Sequence, residues 1–202
     1  MKDDGKYEVI IKNLNKSYGK LPVFINLNLS FLKDKITVIF GPSGCGKTTL
    51  LNIISGIEKD YDGQVYLKSD RLSYVFQEDR LISHLTVYEN VAFVLKSVMN
   101  RDEIESTVNK FLNMVELSDC RDKFPGELSG GMKRRVALAR AFAYRSDLLL
   151  MDEPFKGLDN RLKGDIIEKF LLLYRENKRT VIMVTHDKEE ARELGNVIYS
   201  LE

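Results

Sequence analysis

Two kinds of apolar spacing alternate along the chain. Nearly continuous apolar runs, partly β-branched, recur at residues 36–40, 148–151 and 180–184, as expected of strands buried on both faces of a parallel sheet. Between them the apolar positions fall three and four apart. Leu50, Leu51, Ile53 and Ile54 do so within 49–57, and Ile104, Val108, Phe111, Leu112 and Val115 within 102–115. Val136, Leu138, Ala139 and Phe142 follow Ser129, and Leu162, Ile166, Ile167, Phe170 and Leu171 lead up to Asn177. Each set predicts a helix with one buried face. Shorter signals predict a first strand at 8–13, a turn at Lys16-Ser17-Tyr18-Gly19 and a strand pair around Val23 to Phe31. Strands at 63–67 and 72–76 are separated by the polar turn Lys68 to Arg71, a helix runs from Thr86 to Val98, and a helix at 188–194 and a strand at 197–201 close the chain. The architecture implied is α/β, with a helical stretch of about 79–144 inserted into it.

The junction of the first buried strand with the first helix carries the chemistry. It reads Gly41-Pro42-Ser43-Gly44-Cys45-Gly46-Lys47-Thr48-Thr49, a match to the phosphate-cradling loop G-x-x-x-x-G-K-[ST] in the strand-turn-helix context that loop requires. The glycines let backbone amides approach a phosphate chain, and the helix start adds N–H groups and a partial positive charge. Lys47 places a full charge on the outer phosphates, and Thr48 offers a hydroxyl to Mg2+. An accidental match in a Gly-rich turn is the alternative. Four fixed positions coincide in roughly one random chain of this length per hundred, before the structural context is counted.

Other candidates fall at the carboxyl ends of presumed parallel strands, where open α/β sheets bind ligands. Asp152 and Glu153 end one strand, Asp152 suited to hold Mg2+ and Glu153 to polarise an attacking water as general base. His186 follows another, whereas His84 lies in the helical stretch away from any such edge. Gln77, read alone, is a polar strand terminator; at a phosphate-binding edge it reaches the metal or its water. Ser129 is an N-cap residue, and Gly130 and Gly131 just behind it bare the helix amides, at a cost of about 1 kcal/mol each relative to Ala. By itself this segment reads either as a plain loop-to-helix junction or as an anion site without a lysine. Tyr18 reads as an ordinary turn tyrosine or as a ring on which a base stacks.

Composition narrows the class. The 202 residues are 44% hydrophobic and 30% charged, with a net charge of +1, which is ordinary for a globular domain and argues against a large nucleic-acid surface despite the local patch Lys133-Arg134-Arg135. Two cysteines, Cys45 and Cys120, make neither a metal-ligand spacing nor a disulfide framework. No apolar run reaches the length of a membrane span and the N-terminus is charged, so the expected location is the cytoplasm.

Together these residues resemble the nucleotide-binding subunits of ATP-binding cassette transporters over essentially the whole chain. The likeness comprises the phosphate loop (Gly41 to Thr48), Gln77 of the Q-loop, the signature Leu128-Ser129-Gly130-Gly131-Met132, the Walker B strand ending at Asp152-Glu153, Asp159 of the D-loop and the switch residue His186. Tyr18 matches the family's adenine-stacking aromatic. The resemblance implies a RecA-like P-loop NTPase core with an antiparallel β region and an α-helical subdomain in one domain, 1–202. It also implies an ATPase using ATP and Mg2+, and a head-to-tail homodimer, or a pair with a similar subunit. Each ATP then lies between one subunit's phosphate loop and the other's signature helix. Separate transmembrane permease subunits at the cytoplasmic face of the membrane, docked near Asp79 to Tyr88, and a solute-binding protein complete the implied assembly. Residues 41–46, Phe76-Gln77-Glu78-Asp79-Arg80-Leu81, Met132 and Met151-Asp152-Glu153-Pro154-Phe155 look like the nitrate, sulfonate and taurine importers, although Met132 stands where the signature more often has Gln. Ending at Glu202 implies no C-terminal regulatory domain. Energising a lipid or peptide exporter is the alternative within the fold. A non-transport cassette protein acting on ribosomes or DNA is the alternative outside transport, but neither tandem cassettes, a long coiled coil nor a basic surface is visible in the sequence.

Overall fold

The computed structural model describes residues 5–201. Strands β1 (Tyr7–Tyr18) and β2 (Leu21–Leu32) form one long antiparallel hairpin. Tyr18 pairs with Leu21, so the loop is only Gly19-Lys20, with Gly19 at φ 60 as a tight hairpin turn demands. Of the turn read at Lys16 to Gly19 only Gly19 turns, residues 16–18 being strand, and the break read within 23–31 is absorbed into a continuous strand. Four asparagines make this possible. Asn13 and Asn26 adopt positive φ (51 and 52) where the register shifts. The Asn28 carboxamide accepts from the Asn13 N–H at 3.0 Å, and that of Asn15 accepts from the Asn26 N–H at 2.8 Å. Residues that look like strand breakers thus supply the bonds a bulge removes.

Strand β3 (Ile36–Phe40) leads into α1 (Lys47–Ile54), followed by β4 (Asp62–Leu67) and β5 (Leu72–Val75). Read as neighbours about a polar turn, β4 and β5 go to different sheets: β4 pairs with β1 in the order β2-β1-β4, and β5 edges a second sheet. That sheet contains β6 (Leu148–Asp152), β7 (Thr180–Thr185) and β8 (Val197–Ser200) in the order β5-β6-β7-β3-β8. The pairs β6-β7, β7-β3 and β3-β8 are parallel. The apolar face of α1 (Leu50, Leu51, Ile53, Ile54) is fully buried among Val9, Ile11, Phe31, Leu148 and Ile182. Each such side chain contributes about 1.5–3 kcal/mol. Helix α1 ends earlier than its apolar pattern suggests because Gly56 turns the chain at φ 74.

Among the described residues the chain divides into two compact units. The first comprises residues up to 74, 146–153 and from 177 onward; the second comprises 75–145 and 154–176. The second unit is helical: α2 (Val87–Ala92), α3 (Arg101–Met114), α4 (Gly130–Ala143) and α5 (Asn160–Glu176). It contains the expected helical stretch at 79–144 and takes in 154–176 as well. Thr86 with Glu89 and Asn100 with Glu103 form capping boxes that start α2 and α3. The helix read to Val98 stops at Ala92 and tightens into a 3-10 turn at Phe93–Leu95, since the chain must be extended again at Asn100 to cap α3. Buried Asn90 holds the preceding loop by donating to the carbonyls of Ile82, Leu85 and Thr86. The last helix, α6 (Lys188–Leu194), belongs to the first unit.

Candidate functional site

The loop after β3 is built around two glycines that no other residue could replace. A Cβ on Gly41 would lie 2.4 Å from the Leu201 carbonyl oxygen, and one on Gly46 2.6 Å from Val23 Cγ1 and 2.9 Å from Phe24 Cζ. Gly46, at φ 92, starts α1, whose first turn has neither a side-chain cap nor an acidic residue. The helix amides are thus offered to whatever enters the loop. Lys47 is buried, and its ammonium donates to the carbonyl oxygens of Gly41 and Pro42, both at 2.7 Å, with Cys45 Sγ at 3.9 Å. Pro42, Ser43, Gly44 and Thr48 are exposed; Cys45 and Thr49 are half-buried. Neutral amides, a helix dipole and one ammonium form a donor set suited to a polyphosphate chain, and the exposed Thr48 follows Lys47 in the first turn of α1.

Three neighbouring strands deliver the remaining groups to the same edge. Register pairs Phe40 with Thr185 and Asp152 with Val184, so Gly41, His186 and Glu153 leave the sheet from adjacent strands. Asp152 ends β6 and is buried; Glu153 is 7% exposed and sits at φ 44. A left-handed carboxylate residue costs about 1–2 kcal/mol, and such strain concentrates at functional positions. Its N–H donates to the Val184 carbonyl at 3.0 Å, and its Oε1 lies 2.9 Å from His186 Nδ1. With the carboxylate ionised, Glu153 can only accept, and His186 Nδ1–H is then the donor of this bond. The His186 backbone is steadied on both sides. Thr185 Oγ1 accepts from the Asp187 N–H and donates to buried Glu190, while Asp187 caps α6. Among the described residues no cluster of three or more His, Cys, Asp or Glu could hold a metal. Thr48 stands in the first turn of the phosphate-loop helix and Asp152 ends β6, oxygen side chains of the type Mg2+ takes together with phosphate oxygens.

Tyr18, half-exposed at the hairpin end, also belongs to the first unit. Gln77, Ser129, Gly130, Gly131 and Asp159 belong to the second. Gln77 is exposed just beyond β5. Ser129 caps α4 as read, its Oγ accepting from the Met132 N–H at 3.3 Å. A Cβ at Gly130 would meet nothing within 4 Å, and one at Gly131 nothing nearer than the Gly157 carbonyl at 3.7 Å. Packing within the chain therefore does not require either glycine. Asp159 caps α5, accepting from the Leu162 N–H at 3.0 Å. His84 is exposed in the second unit.

Two groupings escaped the sequence reading. Lys133-Arg134-Arg135 is not a surface patch: Arg134 is 4% exposed and Arg135 donates to the carbonyls of Val115 and Glu116. Arg134 Nε donates to the Pro154 carbonyl at 2.8 Å, and its Nη1 donates to the carbonyls of Phe76 and Gln77. The signal was available, since Arg134 shares a face of α4 with Leu138 and Phe142 at four-residue spacing. Lys16, assigned to a turn, is a buried strand residue bonded to Glu58 and Asp60. Burial works against its charge, but hydrogen bonds to Asp60 and Glu58 and their negative charges outweigh it and hold the ammonium above its ordinary pKa.

The sequence model of the ABC transporter family matches residues 24–156. The sulfate/thiosulfate import ATP-binding protein CysA of Escherichia coli K12 is 38% identical over 92% of this chain and 55% of its own length, and that of Pectobacterium atrosepticum 37% over 93% and 62%. The chain thus spans little more than half the length of the curated relatives it matches. The ATP-binding cassette MJ0796, solved as a dimer in a post-hydrolysis state bound to ADP and Pi, superposes with a TM-score of 0.87 at 33% identity, covering 96% of this chain and 94% of that one. Both relatives are import proteins by name, in keeping with the importer likeness in the sequence, although the anion they name is sulfate or thiosulfate. With two thirds of the residues inside the family match and a whole cassette superposed on the fold, this chain belongs to the ABC transporter family and has the P-loop fold of its ATP-binding cassettes.

Proposed function

We propose that this chain, as a single ATPase domain, hydrolyses ATP to drive solute import through separate transmembrane permease subunits. The observation that carries the reading is the Glu153–His186 pair, 2.9 Å apart on the sheet edge that also bears the phosphate loop. In this reading Tyr18 stacks on adenine, the amides of residues 41–49 and Lys47 hold the phosphates, and Thr48 and Asp152, with Gln77 through water, would hold Mg2+. When bound, the ion offsets the phosphate charge. Glu153 accepts the proton of the attacking water, and His186 keeps that carboxylate oriented.

Ser129, Gly130, Gly131 and Asp159 serve the ATP of a second copy in a head-to-tail dimer. Two helix-start glycines with no packing reason in their own chain support that role, because bare amides at a capped helix start suit an anion brought from outside. The import proteins among the relatives support a membrane partner at the cytoplasmic face, docked through residues 79–88, and a solute-binding protein beyond it. No helix among the described residues is long and apolar enough to cross a membrane.

Lys47→Ala and Glu153→Gln test the reading together. The first is expected to lose most MgATP affinity. The second should bind MgATP normally, hydrolyse it at least about a hundredfold more slowly, as loss of a general base does, and elute as an ATP-dependent dimer. A Glu153→Gln protein that hydrolyses at the wild-type rate, or a Lys47→Ala protein that keeps tight MgATP binding, would overturn it.

A further inference from the structure

Tyr18 is an exposed ring, yet it is held at two points. The Lys16 ammonium stands 4.7 Å from the ring centroid, and the Tyr18 hydroxyl donates to Glu58 Oε2 at 3.3 Å. The same Glu58 oxygen lies 3.3 Å from the ammonium, while Glu58 Oε1 accepts from the Asp60 N–H at 2.8 Å. Lys16 completes its donors on the Asp60 carbonyl and, at 3.1 Å, the Asp60 carboxylate. An ammonium has three donors, and here all three have acceptors while the ring takes its remaining flank. Lys16 is 3% exposed in consequence.

The cluster is also tied to the phosphate loop. Across the hairpin Lys16 pairs with Phe24, and the Phe24 ring is the surface against which the Gly46 backbone packs. Glu58 and Asp60 lie on the segment leaving the far end of α1, where the Glu58 N–H bonds the Asn52 carbonyl. One end of the phosphate-loop helix thus packs on β2 of the hairpin, and the segment leaving its other end grips β1, the strand that carries Tyr18. A staple between β1 and the 55–60 segment would explain Lys16 bonded to Asp60. It would not explain why a cation covers a ring and a shared carboxylate holds that ring's hydroxyl.

We propose that Lys16 and Glu58 are positioning residues for the base: they fix the Tyr18 ring at a set distance from the phosphate loop, with one face covered by the ammonium and the other left for adenine. The proposal rests on the reading of Tyr18 as the adenine-stacking residue. A ring already immobilised spares the base the entropy of ordering it, worth about two- to tenfold in affinity. Lys16 remains charged throughout, because its bonds to the two carboxylates hold its pKa above the ordinary value against the effect of burial.

The test compares MgATP with magnesium tripolyphosphate, which has the phosphates but no base, by calorimetry on the full chain. Lys16→Met should weaken MgATP by about three- to tenfold and leave tripolyphosphate within about twofold; Lys16→Arg, which keeps a cation over the ring, should restore ATP binding. Glu58→Ala, which frees the Tyr18 hydroxyl, should show the same selective loss and covers the case of a Lys16→Met protein that does not fold. The chain has no tryptophan, so Tyr18→Trp introduces a single tryptophan, whose selectively excited response to MgATP should shrink when Lys16→Met is added. Equal weakening of both ligands would reduce the cluster to a structural staple and overturn the proposal. Tyr18→Ala separates the two levels. If it leaves MgATP affinity unchanged, the adenine reading fails; if it weakens MgATP selectively while Lys16→Met and Glu58→Ala do not, only the positioning role fails.

Discussion

Replacing Arg134 by Met removes a clamp while keeping most of the side chain's apolar stem. From its place in α4 the guanidinium donates to the carbonyls of Pro154 and Phe76, reaches that of Gln77 and faces Asp79 Oδ1 at 3.4 Å. Two turns on, Arg140 donates to the carbonyls of Asp79 and Arg80 at 3.1 and 3.0 Å. One helix therefore holds both the segment around Gln77 and the residue that follows Glu153 in the chain. Hydrogen bonds from a charged donor contribute about 1.5–3 kcal/mol each, and removing one partner of a buried ion pair costs about 3–5 kcal/mol. The Asp79 side chain keeps 25% exposure, so water recovers part of that loss, and the expected destabilisation is about 3–5 kcal/mol. For a chain of this size each kcal/mol moves the melting point by about 2–4 °C, so Arg134→Met should melt roughly 10 °C below wild type. Circular dichroism measures the shift, and hydrogen exchange should show faster exchange confined first to residues 76–80. Arg134→Lys should recover less than half, since a point charge cannot reproduce the planar fork. A Met variant melting within about 2 °C of wild type, with unchanged exchange at 76–80, would refute the clamp.

Gly46→Ala places a Cβ 2.6 Å from Val23 Cγ1 at φ 92. Overpacking and left-handed strain together should cost about 2–4 kcal/mol and abolish MgATP binding, as urea unfolding and calorimetry would register; a variant that binds normally would show that the loop is not packed as described. In the second unit the Glu105 carboxyl is held below its ordinary pKa by the Tyr88 hydroxyl first and by Arg121 and Asn109 next. A depressed carboxyl stabilises above its unfolded value, about 4.3, and the benefit disappears as pH falls through the folded value. Glu105→Gln should therefore be less stable than wild type at pH 7, with the gap closing toward pH 3.5; a gap constant across that range contradicts the pairing. Met132 contributes its N–H to the Ser129 cap, which any residue but proline can do there. Met132→Gln should therefore change partner-stimulated hydrolysis by less than about tenfold, roughly 1.4 kcal/mol in the barrier, and Ser129→Arg far more. The reverse order, measured in the assembled transporter, would remove Ser129 from the phosphate-facing role.

What the sequence alone determines is local in origin. The phosphate loop declares itself because its glycines, lysine and hydroxyl fall in one short stretch, and β3, β6 and β7 because a strand buried on both faces is a nearly continuous apolar run. Ser129 was legible as a cap for the same reason, since its partner is three residues away. Tertiary structure decided everything that depends on partners far along the chain. Four asparagines at 13, 15, 26 and 28 look like turn formers one at a time and become the stitching of a bulged hairpin only when facing each other. Strands β4 and β5 are sequence neighbours that part company because each finds a better edge elsewhere. The Glu153–His186 bond spans 33 residues, Lys16 to Asp60 spans 44 and Arg134 to Phe76 spans 58. A lysine or arginine read alone is a solvated charge. Each becomes a buried structural element only when distant carbonyls and carboxylates meet all its donors, because burying that charge without them would cost more than the fold could offset.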